Sequence, residues 1–272
     1  MTRDMAHQAD APNILVLNAG SSSIKFALFD GHLNQTLSGI AEGIGEVSKL
    51  TIGTDVENTP FIDHRAALSA VLERLKTRGF DLKALAAVGH RVVHGGAKLT
   101  QPVRLTPEVR AEINNCTPLA PLHNPHNLAA IDMLSELAPD VPQYASFDTS
   151  FHATNPTVAT RYAIPRMIET KGIRRYGFHG LSYASLTQTL PLVSDQKLPS
   201  RLLAFHLGNG ASLCAILNGH SVATTMGYSP LDGLTMGTRS GGIDANAVLR
   251  LVADNGLERT QAILNHESGL LG

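Results

Sequence analysis

The chain has 272 residues, of which 43% are hydrophobic and 17% are charged, and its formal net charge at pH 7 is −1. These values are typical of a globular protein with one large or two medium-sized domains, and the near-zero charge argues against general affinity for nucleic acid or an anionic membrane. No apolar run is long enough to cross a bilayer. Two cysteines, Cys116 and Cys214, cannot form a disulfide framework, so we expect a reducing, cytoplasmic setting.

The first predicted elements form a hairpin at residues 13–31. Before it, residues 1–12 lack the apolar core of a signal peptide and predict a polar tail. The apolar run 14–17 predicts a buried strand, and alternation over 24–29 predicts a second one. The Gly- and Ser-rich turn between them would direct N–H groups and hydroxyls into a space that suits phosphate, with the charge of Lys25 beside it. An ordinary hairpin with a polar tip is the alternative interpretation.

Further strands and a helix are predicted after the hairpin. The β-forming residues of 36–62 predict short strands, and a helix follows from the capping residue Asp63 to about Arg78. Residues 85–88 predict a short buried strand. This strand would deliver residues 90–96 at its carboxyl end, which is the usual position of a ligand in an α/β sheet.

The middle of the chain combines prolines, histidines and one acidic residue. Residues 106–107 predict a helix start. Residues 117–127 contain three prolines and predict a rigid loop over a site, although His126 can simply open the next helix. The strand predicted at 141–147 ends in Asp148, a position that suits a metal or a reacting group; a plain turn former is the alternative. We place a domain boundary near Asp148.

Residues 202–219 repeat the pattern of the first hairpin. When Gly20 is aligned with Gly208, the second glycines, Gly31 and Gly219, also align. Two such hairpins could hold a polyphosphate between them, and a chance similarity is the alternative.

A glycine-rich stretch follows the second hairpin. Residues 226–242 place Arg239 among small residues, which is unlike a solvated face. Asp244 then predicts a helix to about Asp254, and a last short helix should run to about Asn265.

Seven stretches, taken together, resemble the acetate kinase family, which moves a phosphoryl group between ATP and a short carboxylate. They occur in family order as NAGSSSIKF, GHRVVHGG, APLHNP, FDTSFH, RRYGFHG, HLGNGAS and GLTMGTRSG. The resemblance implies an α/β fold with two ribonuclease-H-like domains, each a mixed five-stranded sheet with flanking helices. On this chain it implies a first domain at 13–147 and a second, incomplete one at 148–272.

The resemblance also implies roles for individual residues. The two arginines Arg91 and Arg239 would hold the carboxylate and the transferring phosphoryl group, Asp148 is the catalytic aspartate, and His179 stabilises the transition state. Asn18 would help to hold Mg²⁺. The implied acetate-binding residues are Arg91, Val93, Leu122, His123, Phe178 and Pro230, of which the apolar ones would enclose the methyl group. The implied ATP-binding residues are Ser21, Ser23, Lys25, His206, Leu207, Gly208, Asn209 and Gly210.

Phosphoryl transfer agrees with these residue types. A metaphosphate-like transition state spreads negative charge over oxygens, so catalysis needs positioning and cations. A carboxylate is already a nucleophile at neutral pH and needs no general base. We therefore expect Asp148 to orient a group or a metal-bound water.

The sequence departs from the family pattern in two places. Family chains continue well beyond a segment like Ser268–Gly272, so the resemblance implies a C-terminally truncated form. The missing part would hold the adenosine wall and a magnesium-binding glutamate, and we expect the 272-residue chain alone to have little or no kinase activity. Gly242 stands where family members commonly carry Asp.

Three alternatives remain beside reversible acetyl phosphate synthesis from ATP and acetate. One is a propionate kinase, although we expect acetate to be preferred. Another is a non-catalytic remnant of the same fold. A sugar kinase or chaperone ATPase of the same superfamily explains the hairpins but not GHRVVHGG or FDTSFH. The resemblance further implies a homodimer in the full-length form. From the near-zero net charge we expect neither nucleic acid nor membrane as a partner.

Overall fold

The computed structural model describes residues 13–169 and 171–272, so the predicted polar tail, 1–12, lies outside the described residues. The chain divides into two compact units. The first contains the described residues up to Val93 together with 102–146, and the second contains 94–101 and 147–272. The prediction of two ribonuclease-H-like domains that meet at 147/148 stays a prediction.

The first unit contains most of the strands. Its β-strands are β1 (Ile14–Ala19), β2 (Ser23–Phe29), β3 (Gln35–Glu42), β4 (Lys49–Ile52), β5 (Asp55–Glu57), β6 (Ala87–Val92), β7 (Val103–Arg104) and β8 (Gln143–Phe147). Its α-helices are α1 (His64–Thr77), α2 (Pro107–Asn115) and α3 (Asn124–Leu137). Short 3₁₀ turns lie at Leu82–Ala84 and Thr117–Leu119.

The eight strands form one mixed sheet in the order β5-β4-β3-β2-β1-β6-β8-β7. The strands from β1 to β5 are joined in antiparallel pairs, whereas β1 and β6 run parallel. The α/β class with a large mixed sheet is confirmed. The sheet is wider than the five strands implied by the resemblance because the meander continues through β4 and β5 and because the short β7 adds to the far edge.

One face of the sheet and helices α1 and α3 enclose the core of the first unit. The predicted alternation in β2 is confirmed, since Ile24, Phe26 and Leu28 are buried while Lys25 is exposed. Helix α1 begins where expected because the Asp63 side chain accepts a hydrogen bond from the helix's third residue. Alternating strand residues and a helix stripe therefore supply the same core.

Two sequence predictions for this unit need correction. The strand expected at 85–88 begins at Ala87 and runs to Val92, so His90 and Arg91 lie within β6 and not beyond its end. The proline-rich segment 117–127 is not a continuous loop, since it forms a 3₁₀ turn and the first residues of α3. Proline is tolerated there because it occupies the first turn of each helix, where its missing N–H leaves no intrahelical bond unmade.

The second unit contains a smaller sheet and several helices. It begins with a 3₁₀ segment (Ser150–Thr154) and continues through α4 (Thr157–Thr160), α5 (Arg166–Glu169), α6 (Gly180–Ser194), β9 (Arg201–Leu207), β10 (Ala211–Leu217), β11 (His220–Thr224), α7 (Ala245–Asn255) and α8 (Leu257–His266). The three strands are antiparallel in the order β11-β10-β9, so the predicted second hairpin is confirmed as β9–β10. Cys214 of β10 is fully buried, as expected of a core residue.

No helix in the described part of the chain has the length and apolar character needed to cross a membrane.

Candidate active site

The first hairpin turn is closed by its own main chain. The N–H of Gly20 donates to the carbonyl of Ser23 at 2.8 Å, so residues 20–23 form a tight turn. Ser21 is exposed at its tip, and Ser23 is half-buried where β2 begins. Asn18 and Lys25 are paired across the hairpin, and the pleat places both side chains on the face opposite the core. Their face lines an open groove of ≈ 490 Å³.

The adjacent strand places Arg91 beside Asn18. Strand β6 pairs with β1 so that His90 lies opposite Leu17, and the next residue along β6 projects to the groove face. The Arg91 guanidinium donates through Nη1 to Oδ1 of Asn18 at 3.1 Å. The first unit therefore brings together a guanidinium, an amide oxygen and, across the hairpin, an ammonium group.

Three of the expected acetate-binding residues also lie in the first unit. Val93 is buried, Leu122 is 47% exposed and His123 is the residue immediately before α3. The N–H of Val93 donates to Oδ1 of Asn127 at 3.1 Å, and Nδ2 of Asn127 donates to the carbonyl of Ala19 at 2.7 Å. Sequence reasoning missed Asn127, which ties the segment after β6 to the end of β1. The sequence feature that could have identified Asn127 is an amide side chain in the first turn of a helix that has proline near its start.

In the second unit, Asp148 lies directly against the start of α6. The N–H of Gly180 donates to the Asp148 carbonyl at 2.8 Å, and a Cβ on Gly180 would collide with that same oxygen. His179, which precedes Gly180, has a φ of 60°. A left-handed conformation is uncommon for a residue with a side chain, although histidine is among the types that adopt it more readily. This close approach requires glycine at position 180, and it fixes the backbone position from which the His179 side chain projects.

A buried histidine supports the segment before His179. Nε2 of His152 lies 2.9 Å from the Phe178 carbonyl, and Nδ1 lies 2.8 Å from Oγ of Ser221. The carbonyl can only accept, so Nε2 carries the hydrogen and Ser221 donates to Nδ1. Burial lowers the pKa of His152 to about 4, which keeps the ring neutral at pH 7. His152 therefore holds the Phe178 main chain in place; its signal in the sequence was the last residue of FDTSFH.

The His179 side chain contacts Ser212 and His206. Its Nδ1 lies 2.8 Å from Oγ of Ser212, which in turn lies 2.6 Å from the hydroxyl of Tyr183. The ring is stacked on His206, with centroids 3.9 Å apart and planes 21° from parallel. Ser212 and Tyr183 were absent from the predicted site, because a serine in a strand and a tyrosine in a helix have no recognisable functional pattern.

The turn of the second hairpin contacts the arginine loop, which we define as residues 230–241. The N–H of Gly237 donates to the Asn209 carbonyl at 3.1 Å, and Oδ1 of Asn209 packs against Gly237. A Cβ added to Gly210 would lie 3.4 Å from both Nη1 of Arg239 and Nε2 of His179. These two nitrogens therefore converge on the space in front of the turn.

Arg239 is held within its own loop, and that loop is held by residues 268–271. Its Nη1 donates to the Pro230 carbonyl at 3.1 Å, and burial lowers the pKa of its guanidinium. The loop is closed by a bond from the Met236 N–H to the Arg239 carbonyl at 3.1 Å. Segment 268–271 donates main-chain N–H groups to the carbonyls of 236–238. Pro230 therefore presents its carbonyl to the arginine, in addition to the apolar ring expected from the sequence.

The described residues contain no group of three or more His, Cys, Asp or Glu side chains arranged to hold a metal ion. Mg²⁺ that is bound together with phosphates keeps most of its water and phosphate ligands and takes few from the protein. The amide oxygen of Asn18 is the hard ligand type that such an ion accepts, and it retains a second lone pair beside the bond from Arg91.

The predicted site residues fall into two groups. The first unit holds Asn18, Ser21, Ser23, Lys25, Arg91, Val93, Leu122 and His123. The second unit holds Asp148, Phe178, His179, His206, Leu207, Gly208, Asn209, Gly210, Pro230 and Arg239. Within the second unit, His179, Gly210 and Arg239 converge, and the Asp148 main chain bonds to the residue after His179. The roles assigned to these residues stay predictions.

Comparison with known proteins identifies the family. The model of the acetokinase family matches residues 13–272. The acetate kinase of Rhodopseudomonas palustris is 44% identical over 274 residues, which cover 95% of this chain and 69% of that protein.

This chain belongs to the acetokinase family.

Two solved structures agree with this family. The propionate kinase of Francisella tularensis has a TM-score of 0.89 and is 36% identical, and the match covers 96% of this chain and 70% of that protein. The acetate kinase of Porphyromonas gingivalis has a TM-score of 0.84 and 37% identity, with 96% and 69% covered. The identification from seven motifs is confirmed, and so is the class of ATP-dependent phosphotransferase with a carboxylate acceptor. Acetate kinase is better supported than propionate kinase.

Proposed function

We propose that this acetokinase family member transfers the terminal phosphoryl group of ATP to acetate, in either direction, by direct in-line displacement. The observation that carries the proposal is the convergence of His179 Nε2 and Arg239 Nη1 in front of the glycine turn at 208–210. Two nitrogen donors aimed at one small space suit the equatorial oxygens of a transferring phosphoryl group, on which negative charge accumulates.

The guanidinium groups have separate supports, which suits separate tasks. Arg91 is oriented by Asn18, and Arg239 is oriented by the Pro230 carbonyl. A planar guanidinium can hold a carboxylate or a phosphoryl group through two parallel hydrogen bonds. We assign Arg91 and Arg239 to acetate and to the transferring group, with Val93, Leu122, Phe178 and Pro230 around the acetate methyl group and His123 beside it.

The acceptor carboxylate needs no proton removed, so the chain needs no general base. Asp148 is buried, and we assign it to orienting a group at the site and not to abstracting a proton. Ser21, Ser23 and Lys25, together with residues 206–210, would bind the nucleotide phosphates. Mg²⁺ bound with ATP would neutralise part of the phosphate charge, and Asn18 would be its contact on this chain.

The function is tested by measuring acetyl phosphate as its hydroxamate, in the protein isolated from its own cells and with its intact mass compared with 28.9 kDa. Arg91→Ala and Arg239→Ala should each remove nearly all turnover without unfolding the protein. Arg250→Ala is the matched control, because Arg250 pairs only with Asp254 on an exposed helix face among the described residues. Near-normal turnover in both site variants would refute the proposal.

The 272-residue polypeptide is tested separately by calorimetry with ATP and Mg²⁺. Heat of binding without acetyl phosphate would support nucleotide binding without catalysis. Turnover equal to that of the isolated protein would support the proposed transfer in this polypeptide.

Propionate is the second candidate acceptor, because one of the similar structures is a propionate kinase. One additional methylene changes binding by only about 1–3 kcal/mol, so a family pocket can accept both acids. We propose that acetate is preferred. A kcat/KM for propionate above that for acetate would reverse this assignment.

We also propose a homodimer. Sedimentation at several protein concentrations tests it, and a monomer at all of them would refute it.

A further inference from the structure

The direction of the hydrogen bonds that connect Tyr183, Ser212 and His179 can be deduced because the first two groups are buried. Tyr183 is 1% exposed and Ser212 is fully buried, so water does not enter the chain of contacts. The contacts run from the Tyr183 hydroxyl to Oγ of Ser212 at 2.6 Å, and from there to Nδ1 of His179 at 2.8 Å. Each hydroxyl owns one hydrogen, so the direction of donation at one end fixes the direction at the other.

The Tyr183 end determines the direction. Burial raises the pKa of Tyr183, so the phenol is neutral at pH 7 and has a hydrogen to donate. In the described part of the chain, the acceptor available to the phenol hydrogen is Oγ of Ser212. Reversing the order would leave this hydrogen buried without an acceptor, which is unfavourable.

If Tyr183 donates to Ser212, the serine hydrogen must point to His179. Nδ1 of His179 then accepts, and the remaining ring nitrogen, Nε2, carries the hydrogen in the neutral ring. Nε2 is the atom that converges with Nη1 of Arg239 in front of Gly210. A donor there can bond to an anionic oxygen, whereas a lone pair would repel it.

We propose that Tyr183 and Ser212 are positioning residues that fix the tautomer of His179, so that Nε2–H always faces the transferring phosphoryl group. This inference rests on the proposed function for its consequence in catalysis, but the tautomer itself is a property of the fold. The left-handed backbone of His179 and its bond to the Asp148 segment through Gly180 fix the origin of the ring. Tyr183 and Ser212 fix the rotation of the His179 ring and determine which ring nitrogen carries the hydrogen.

The tautomer is measured directly by long-range proton–nitrogen NMR of the whole protein labelled with ¹⁵N, with His179→Gln used to assign the ring signals. We expect the Nε2–H pattern in the wild type. In Tyr183→Phe, which removes one hydroxyl and keeps the ring, the pattern should shift toward a mixture with Nδ1–H. The matched control is Tyr176→Phe, whose hydroxyl donates to the Gly172 carbonyl in the same unit. An Nδ1–H tautomer in the wild type would overturn the inference.

Kinetics supply the second measurement. Tyr183→Phe and Ser212→Ala should lower kcat by about 10-fold or more while KM for ATP and acetate changes less, because the lost donor acts in the transition state. Ser212→Thr retains a hydroxyl and should recover most of the loss. Equal loss in Ser212→Ala and Ser212→Thr, with an unchanged tautomer in both, would indicate a packing role and refute the inference.

The two measurements separate this inference from the proposed function. The Nε2–H tautomer in a wild-type protein that forms no acetyl phosphate would overturn the function and support the order of hydrogen bonds. Full turnover in a protein whose His179 carries its hydrogen on Nδ1 would support the proposed function and overturn the inferred direction of the hydrogen bonds.

Discussion

The two glycine-turn hairpins, β1–β2 and β9–β10, share one sequence pattern but have different surroundings. In the first, β1 lies between β2 and β6, and its alternate residues Leu15, Leu17 and Ala19 are buried. In the second, β9 is one of the two edge strands of a three-stranded sheet, and Ala204 is its one buried residue among the described ones. The pattern of a strand, a turn and a strand thus specifies a hairpin, while its neighbours decide how much of it is buried.

The turns of the two hairpins also have different surroundings. The first turn bonds to two other segments of its own unit: the Gly20 carbonyl lies 2.6 Å from Nε2 of His64, and the Ser22 carbonyl accepts from the N–H of Ile44 at 3.2 Å. A Cβ on Gly20 would meet atoms at ordinary contact distances, 3.5 Å or more. The second turn bonds to Gly237 of the arginine loop and faces His179 and Arg239. Both turns are therefore tied to neighbouring segments of their own unit, and the difference between them lies in the side chains in front of the second turn.

The largest expected effect is on stability. Leu17→Ala should lower the free energy of unfolding by about 2–5 kcal/mol, since it leaves a cavity beneath β1. Leu203→Ala on β9, where the side chain is 56% exposed, should change it by less than about 0.5 kcal/mol. Urea denaturation of both variants measures the difference. Equal losses would show that the outer face of β9 is covered in solution and would remove the contrast between the hairpins.

Acidification should lower the free energy of unfolding through one buried histidine near each hairpin. His90 lies beside β1 and His152 lies beside β11, and burial lowers the pKa of each ring to about 4. The unfolded chain binds these protons near pH 6.5 and the folded chain does not, so stability is unaffected above that pH and falls as the pH is lowered toward 4. The expected loss at pH 5 is about 2 kcal/mol per histidine.

Unfolding measured at pH 7 and pH 5 tests this, with His90→Gln and His152→Gln beside the wild type. Each variant should show a smaller loss on acidification, whatever its stability at pH 7. A loss at pH 5 as large as that of the wild type would contradict the prediction for that histidine.

The next effect concerns turnover and separates the two turns. Gly210→Ala would place a methyl group 3.4 Å from both Arg239 Nη1 and His179 Nε2, in the space that we assign to the phosphoryl oxygens. We expect kcat to fall by about 10- to 100-fold, equivalent to about 1.4–2.7 kcal/mol of transition-state stabilisation. Gly20→Ala is the matched control and should reduce kcat much less. Comparable losses in the two variants would remove the functional difference between the turns.

The smallest expected effect is at an ion pair beside the first hairpin. Nζ of Lys49 lies 3.0 Å from Oε1 of Glu42, and both side chains are about two-fifths exposed. Exposed pairs contribute about 0.2–1 kcal/mol, so Glu42→Gln should lower stability by no more than that. The difference should disappear in high salt. A loss that persists at 1 M salt would show that Glu42 stabilises β3 by packing and not by charge.

Local sequence patterns predicted the elements whose ends are set by nearby residues. Asp63, Thr106 and Asp244 accept hydrogen bonds from the first turns of α1, α2 and α7, as their capping positions indicated. Both hairpins were visible for the same reason, since alternation and a glycine turn act within about ten residues. The boundaries of β6 were wrong because its pairing with β1, and not its own composition, determines where the strand begins and ends.

The sequence by itself determined the family, the candidate site residues and the hairpins, because each depends on residue types at fixed spacing along the chain. Only the tertiary structure decided which buried groups support them. Asn127 meets Val93 from 34 residues away, Ser212 meets His179 from 33 away, and Ser221 meets His152 from 69 away. No local pattern marks such pairs, since a buried polar group finds its partner through the packing of whole elements and not through its neighbours in sequence.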